Sequence, residues 1–575
     1  MSQAVPEVTL TITDRNLGIL ANPIENIHLK IGVCELGTNG TIYSFNDKDD
    51  VKAVLGSGPL AKAVAYSLAT DTQGLIGRPC YAVRINPSVA GIFSTVQKTA
   101  VSGGTGTGTV TVAQTASTIG PFDRYEVIVE ITRTGTVAVG AYRYSLDGGT
   151  TYSVELTIPN TTYAIPDTGM TLTFVVGGGP VFFEDGDLHV FKTRAPHYST
   201  DDLLTAVTSI FASPLTWECI DLVGPAIPTL SAVTETGTTP PDLTVAGTPV
   251  DYYDAIVDIV LGGVLETATF RYSLDGGTTY SSTITTPAAT YLIPNTGITI
   301  TFTAGTYNAD NIYTFNSGNA AGMRTFADAL STHMTTALTK NRFVFSNVEA
   351  PDDTKTRLIA AMASFADYRV TYSGGYAKIA DILTANIVKR SASWVINTRI
   401  AAVKPSRSPA RFDSGPLKNV TSILHDENVS PQLSAQRFQT LRTHLDVQGF
   451  FVTKDPTGAP TGSDFTYLAN LRVINNASRA LRLAQLKFLE EDLPVDAVTG
   501  KITEIMARGI DSFCADAVKN ALGDNIVTAQ VITNRTDNLL VTMTLKCRLI
   551  VTPRGRVGSI ETTVGLGLQL PTNGA

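Results

Sequence analysis

The chain has 575 residues, of which 43% are hydrophobic and 16% charged, with a formal net charge of −8 and a mean hydropathy of +0.11. That length exceeds what one core supports, so about two to four domains are expected, and the low charged fraction excludes bulk disorder. The acidic balance excludes a general nucleic-acid coat, no run approaches the ~18 apolar residues of a bilayer span, and residues 1–6 (MSQAVP) lack the features of a signal peptide.

The first element is a strand arm. Val8, Leu10 and Ile12 alternate with threonines within residues 1–20. An α/β frame is then expected over 21–100 and 197–235, with a strand at 27–34, a helix at 49–68 broken near Gly56-Ser57-Gly58-Pro59, and a strand at 80–85. The Gly-x-Gly-Pro run has only Lys62 close downstream and reads as a helix break, not an anion cradle. The frame resumes with a helix opening at Ser199/Thr200, a strand at 215–223, a helix at 323–338 and a strand at 343–348.

Two inserted modules interrupt the frame. Residues 143–174 (RYSLDGGTTYSVELTIPNTTYAIPDTGMTLTF) and 271–302 (RYSLDGGTTYSSTITTPAATYLIPNTGITITF) align without a gap at an offset of 128, with 22 identities in 32 positions. Upstream, DRYEVIVEI at Asp123 matches DYYDAIVDI at Asp251 at the same offset. Alternating strands around a Ser-Leu-Asp-Gly-Gly hairpin turn predict two small antiparallel β-modules, at 101–196 and 236–317. The Asp-Gly-Gly turn lacks the further oxygen ligands of a calcium loop. The Gly/Thr run 103–109 lacks the lysine and helix of a phosphate loop. Insertion between a strand and a helix leaves a core intact, so the modules read as surface decorations.

A second α/β region follows over 318–540. Helices are expected at 352–365, 377–388, 431–441, 478–489 and 503–522, and a strand at 368–372. The stretch 389–418 reads as loop-rich and strongly basic, with Lys389, Arg390, Arg399, Lys404, Arg407, Arg411 and Lys418 against Asp413 alone, which suggests a contact patch for a like chain or an acidic partner, or else a scattered solvated surface. The chain closes over 541–575 with a long alternating strand, 541–551, carrying Val541, Met543 and Leu545 on its apolar face, and a weaker one carrying Val564, Leu566 and Leu568. Such terminal strands must find a sheet, in their own chain or a neighbour's.

Catalytic chemistry has little to stand on. The six histidines (His28, His189, His197, His333, His425, His444) show no metal spacing, and no nucleophile elbow or Walker lysine appears. His425-Asp426-Glu427, the densest polar cluster, reads as a loop contact, as does His444 with Asp446. The five widely spaced cysteines (Cys34, Cys80, Cys219, Cys514, Cys547) read as buried thiols. No enzyme, cofactor or metal is expected. A second class is a virion or cell-surface binding protein whose modules hold glycans, with Tyr152 and Tyr280 beside the repeated turns as stacking residues.

The second half carries a resemblance. The runs LHDE (424–427), RFQTLRT (437–443), QGFFVT (448–453), GSDF (462–465), NLRVI (470–474), NRTDNLL (534–540) and VTPRG (551–555), with Arg437, Arg442, Asp464 and Arg472 as markers, resemble the common core of contractile phage tail sheath proteins. The match covers about 420–560 well and 20–85 loosely, and the repeat resembles RYSLDGG-type insertions of some phage sheaths. The resemblance implies a mixed α/β (α+β) multi-domain fold and a structural, non-enzymatic subunit in the virion tail, assembled in the host cytoplasm. It implies stacked helical rings around a tail tube protein, with baseplate and tail terminator proteins as further partners and no direct nucleic-acid or membrane contact. Contraction would drive the tube through the host envelope, and the terminal strands would be inter-subunit arms.

Overall fold

A computed structural model describes residues 26–70, 78–115, 120–178, 182–558, 560 and 562. The chain forms two compact units, residues 1–472 and 473–575. The fold class is mixed α/β.

The first unit is organised by a six-stranded sheet in the order Ile42–Phe45, Cys80–Arg84, His28–Gly32, Cys219–Leu222, Phe345–Glu349, Val370–Ser373. All neighbours run parallel except the edge pair Ile42–Phe45 and Cys80–Arg84. Parallel strands need crossovers, and here helices supply cover on both faces. Leu29, Ile31, Ile220, Leu222, Val348 and Tyr372 share a core with Leu203, Val207 and Ile210 of the helix Thr200–Ala212 and with Met323, Leu330 and Met334 of Ala320–Thr339. Because side chains alternate along a strand, the opposite face holds His28, Lys30, Cys219, Asp221 and Asn347, all buried. The helices Pro59–Thr70 and Ala392–Ala401 lie against these strands. Ser199 caps its helix as expected, its hydroxyl accepting from the Asp202 N–H while Asp202 accepts from the Ser199 N–H. The helix break also falls as expected: Asp49–Leu55 ends at Gly56 (φ 65°), and Pro59 opens the next helix.

This sheet draws strands from both sides of residue 318, so the boundary expected there cuts through one sheet. Three further expectations differ from the structure. The helix expected at 377–388 is a strand pair, Tyr376–Ala380 with Ile387–Ser391. Its Ala/Ile pattern suits a helix, but Asp381 Oδ1 accepts from the Leu383 and Thr384 N–H groups and Ala385 has a φ of 62°, so the chain turns back. Strand Val420–Ile423 then completes a three-stranded sheet. The basic stretch read as loop contains the helix Ala392–Ala401, its first turn capped by Ser391. The helix expected at 431–441 is a single turn, Ser434–Gln436, stopped at left-handed Arg437, and Leu441–His444 pairs with Val447–Val452.

Each module is two antiparallel sheets facing one another across an apolar core. In the first, Gln97–Thr99, Leu188–Arg194, Glu126–Arg133, Ala141–Ser145 and Leu156–Thr157 form one sheet, and Thr162–Ile165, Met170–Val175 and Thr109–Gln114 the other. The second repeats this with Thr234–Thr236, Ile312–Asn316, Asp254–Leu261, Thr269–Ser273 and Ile284–Thr285 against Leu243–Gly247, Ile298–Phe302 and Thr290–Ile293. The equivalence extends past the visible repeat. Thr193 Oγ1 accepts from the Tyr125 N–H and donates to the Asp123 carbonyl, and Ser317 Oγ does the same with Tyr253 and Asp251. Ser94 and Ser231 accept from the Lys192 and Asn316 N–H groups in turn. The offset is 137 at Ser94/Ser231, 128 in the hairpin and 124 at Thr193/Ser317. Shorter loops in the second copy produce this drift, and it hides the flanking homology.

In the second unit the helix Glu504–Leu522 packs on the hairpin Ile526–Thr533 and Cys547–Pro553. Ala507, Ile510, Cys514 and Val531 form one small core, and Ala477, Val518, Leu522 and Ala529 another.

Candidate functional site

Of the arm residues, Val8, Leu10, Ile12, Val564, Leu566 and Leu568 lie outside the described residues. The strand expected from 541 begins only at Cys547. Val541 sits in a one-turn helix, Leu539–Thr542, whose N-terminal Leu540 N–H is capped by Asn538, and Met543 is left-handed. Asn538 thus diverts the alternating sequence into a turn before the strand. Val541 (75%) and Met543 (88%) are exposed, while Leu545 packs against the second unit's core. The ribbon Ile526–Thr533/Cys547–Pro553 has two strands only among the described residues, so each strand has one edge without a backbone partner. Val527 (66%) is exposed on it.

The basic patch divides into two sets. Arg390 is buried and bidentate to Asp123, at 2.8 Å and 2.5 Å, and Lys389 pairs with Asp352. Arg390 is therefore withdrawn into the interior and offers no contact surface, while Lys389 is half-buried beside Asp352. The remaining five do converge. Arg399, Lys404, Arg407, Arg411 and Lys418 line one cleft of about 550 Å³, with Asp413 the single acid in its wall among the described residues. Arg399 donates to the carbonyls of Ser414 and Pro416, and Arg411 pairs with Asp413.

The four marker residues have distinct places. Arg472 is buried, bidentate to Glu218 (2.8 Å and 2.9 Å), and donates to the Ile400 and Val403 carbonyls. It ties the chain at Leu468–Arg472, the last residues of the first unit, to the end of the central sheet. Arg437 donates to the carbonyls of Phe365, Gly458 and Ala459 and so closes a loop cluster. Arg442 donates to Asn428, and the Asp464 carbonyl accepts from Asn470. The neighbouring polar cluster is a loop clamp: Glu427 accepts from the N–H groups of Gln432, Leu433 and Ser434, and Asp426 from Thr443 and Asn428.

The densest chemistry is a buried ion network at the base of the first module. Lys62 lies 2.9 Å from Asp123 and 3.1 Å from Asp381, and Arg390 also meets Asp123. Burial alone would raise the Asp123 carboxyl; the Arg390 and Lys62 cations overcome this and hold it well below the usual range. The sequence singled out Lys62 only as a poor phosphate ligand. The signal that could have found its partner was the matched pair Asp123/Asp251, each opening a module. Nearby, burial pushes the Glu349 carboxyl up to about 7, against hydrogen bonds from Ser393 and Trp394.

His28, Cys219 and Asp221 lie close enough to hold a cation. Asp221 already has one, the Lys30 ammonium at 3.1 Å, and it accepts from Cys219 as well. Four of the cysteines are buried, Cys547 is half-buried, and all five are free thiols. Tyr152 and Tyr280 each carry a guanidinium over one ring face, from Arg143 and Arg271, both at 4.3 Å.

Against protein families, residues 5–456 match the DUF2586 N-terminal domain. The chain belongs to this family. No curated protein matches it. Solved structures similar to this chain include a sheath tail protein from Desulfitobacterium hafniense, at 10% identity and a TM-score of 0.41, covering 96% of this chain and 100% of that one. The sheath tail protein Lin1278 from Listeria innocua is similar at 10% identity and a TM-score of 0.38, with 92% and 95% covered. A chain of the anti-feeding prophage baseplate in its contracted state is similar at 9% identity and a TM-score of 0.47, with 98% and 99% covered.

Proposed function

We propose that this DUF2586 chain is the structural subunit of a contractile tail sheath, polymerising helically around a tail tube and doing no covalent chemistry. The observation that carries the reading is the open ribbon of the second unit. Among the described residues the two-stranded ribbon leaves a row of N–H and C=O groups without a strand partner on each edge, which is a template for strand addition by another chain. A contact of this kind that does not close on itself builds a helix of subunits. The terminal segments 1–20 and 554–575, with their alternating apolar residues, are the strands proposed to add. The ordered runs between 424 and 555 support the same reading, because they resemble a sheath core in sequence, and Arg472 among them is buried.

Bistability is the physical logic: two packings that differ modestly per subunit, linked by arms that pass the switch along. Electron microscopy of the purified chain should show tubes or rings at high concentration. Deleting residues 1–14, or all residues after Pro553, should leave a folded subunit that no longer polymerises. Normal tubes from either truncation would remove that segment as the link, and a strictly monomeric full-length chain would remove the reading itself.

A further inference from the structure

The cleft lined by Arg399, Lys404, Arg407, Arg411 and Lys418 is electrically unbalanced. Arg411 is matched by Asp413, and Arg399 holds only two neutral carbonyls. Lys404, Arg407 and Lys418 are exposed, with no carboxylate within ion-pair distance among the described residues. Like charges gathered in one concavity repel one another and project a positive field outward. The scaffold beneath them is fixed. Tyr66 donates its hydroxyl to the Lys418 carbonyl at 2.7 Å, and the Ser67 and Thr398 hydroxyls bond at 2.9 Å between the helices Pro59–Thr70 and Ala392–Ala401.

The same chain carries an unmatched run of the opposite sign. The helix Leu468–Gln485 continues into the single turn Leu486–Phe488, and Glu490, Glu491 and Asp492 follow. All three are exposed, with no cation within ion-pair distance among the described residues. Carboxylates just past a helix C-terminus oppose its dipole, so helix stability does not account for them. Leu489 beside them is 68% exposed.

We propose that the basic cleft of one subunit receives the acidic loop 490–492 of a second copy of this chain. The inference rests on the self-assembly reading and adds an electrostatic link to the strand addition. Two different patches meeting across copies make a heterologous contact, the kind that propagates into a polymer. Exposed ion pairs are individually weak, so several must act together, and salt should loosen the contact. Complementary charge of this kind fixes partner and register.

The test uses a labelled peptide of residues 486–497 and the full-length chain carrying Glu490→Lys, Glu491→Lys and Asp492→Lys, so that no acidic loop of its own competes. Fluorescence anisotropy should show binding at least tenfold tighter than that of the same peptide with Glu490→Gln, Glu491→Gln and Asp492→Asn. Adding Arg407→Glu and Lys418→Glu to the chain should cost at least tenfold. No binding, equal binding of the neutral peptide, unchanged binding by the cleft variant, or tighter binding of an oligonucleotide of equal net charge would each overturn the proposal. If the cleft variant fails to fold, the ratio of acidic to neutral peptide decides alone. Sedimentation separates a contact between copies from one within a chain. The chain with only its loop reversed and the chain with only its cleft reversed should each lose self-association and regain it on mixing, because each then meets its complement. No recovery on mixing would overturn the contact between copies. Tubes in the electron microscope without peptide binding would remove this contact and keep the sheath; peptide binding by a chain that never forms tubes would remove the sheath and leave the pairwise contact.

Discussion

The two modules are copies of one sequence set into one frame, yet their matched residues are held differently. Asp123 and Asp251 open the two copies at equivalent positions. Asp123 is fully buried between Lys62 and Arg390 of the frame. Asp251 meets Arg124 at 2.5 Å and Lys192 at 3.8 Å, both cations of the first module. The first copy is thus bolted to the frame and the second to the first copy. The hairpin turns repeat the pattern. Asp147 and Asp275 each accept from the N–H and hydroxyl of the threonine four residues on, Thr151 and Thr279. Asp147 accepts in addition from the Ile387 N–H, 240 residues away, and Asp275 has no such bond among the described residues. Duplication supplies the same chemistry twice; where each copy sits decides whether that chemistry closes a loop locally or ties the chain together.

The largest test of this comparison is at the module bases. Asp123→Asn leaves Lys62 and Arg390 buried with too little negative charge and should cost about 3–5 kcal/mol of stability at pH 7. Asp251→Asn acts on partners that keep part of their hydration, with side chains 22% and 30% exposed, and should cost about 1–2 kcal/mol. Equal losses in chemical denaturation would erase the distinction. The pH dependence gives the sign. The Asp123 carboxyl is held below its unfolded value of about 3.9, so its contribution is complete above that pH and fades as pH falls through the folded value. The gap between the natural chain and Asp123→Asn should therefore be flat from pH 8 to 5 and narrow only in stronger acid.

How much of this was legible beforehand varies by residue. The capping of Ser199, the break at Gly56–Pro59 and the Asp-Gly-Gly hairpins could be read because local chemistry alone decides them. The repeat was visible only where loop lengths agree; Thr193/Ser317 and Ser94/Ser231 keep their roles at offsets no fixed alignment meets. The strands Tyr376–Ala380 and Ile387–Ser391 were misread because long-range pairing with Val420–Ile423 outweighs a helical pattern. Arg390 was read as surface because a run of basic residues gives no sign of which one has a carboxylate 267 residues away. For the same reason the sequence could mark Arg472 by resemblance and not as the partner of Glu218. The open ribbon was legible only as strands needing a sheet, and the diversion at Asn538 was not foreseen.

A smaller effect separates the hairpin turns. Asp147→Ala should lose the local turn bonds and strand the Ile387 N–H, about 1 kcal/mol for that group alone. It should also release the turn Asp381–Asn386, seen as faster amide exchange at Ile387. Asp275→Ala should lose the local bonds only and leave exchange at Ile387 untouched. Faster exchange there in both variants would mean that the second copy reaches the loop by another route.

The smallest effect is the one the comparison says should be identical. Arg143 lies over Tyr152 and pairs with Glu130 at 2.8 Å, and Arg271 lies over Tyr280 and pairs with Asp258 at 2.8 Å. Both arginines are well exposed, at 41% and 43% of the side chain, so water and salt screen the pairs. Each arginine has the same two kinds of partner, a tyrosine ring and a carboxylate of its own module. Arg143→Ala and Arg271→Ala should therefore shift the melting temperature by the same small amount, and the double variant by the sum, since sites without shared partners add. Raising salt should shrink both shifts together. A shift several times larger at Arg143 would show that the docking of the first module reaches beyond Asp123 and Asp147 into its hairpin face, and the division between a bolted copy and a borrowed one would have to be redrawn along the whole sheet.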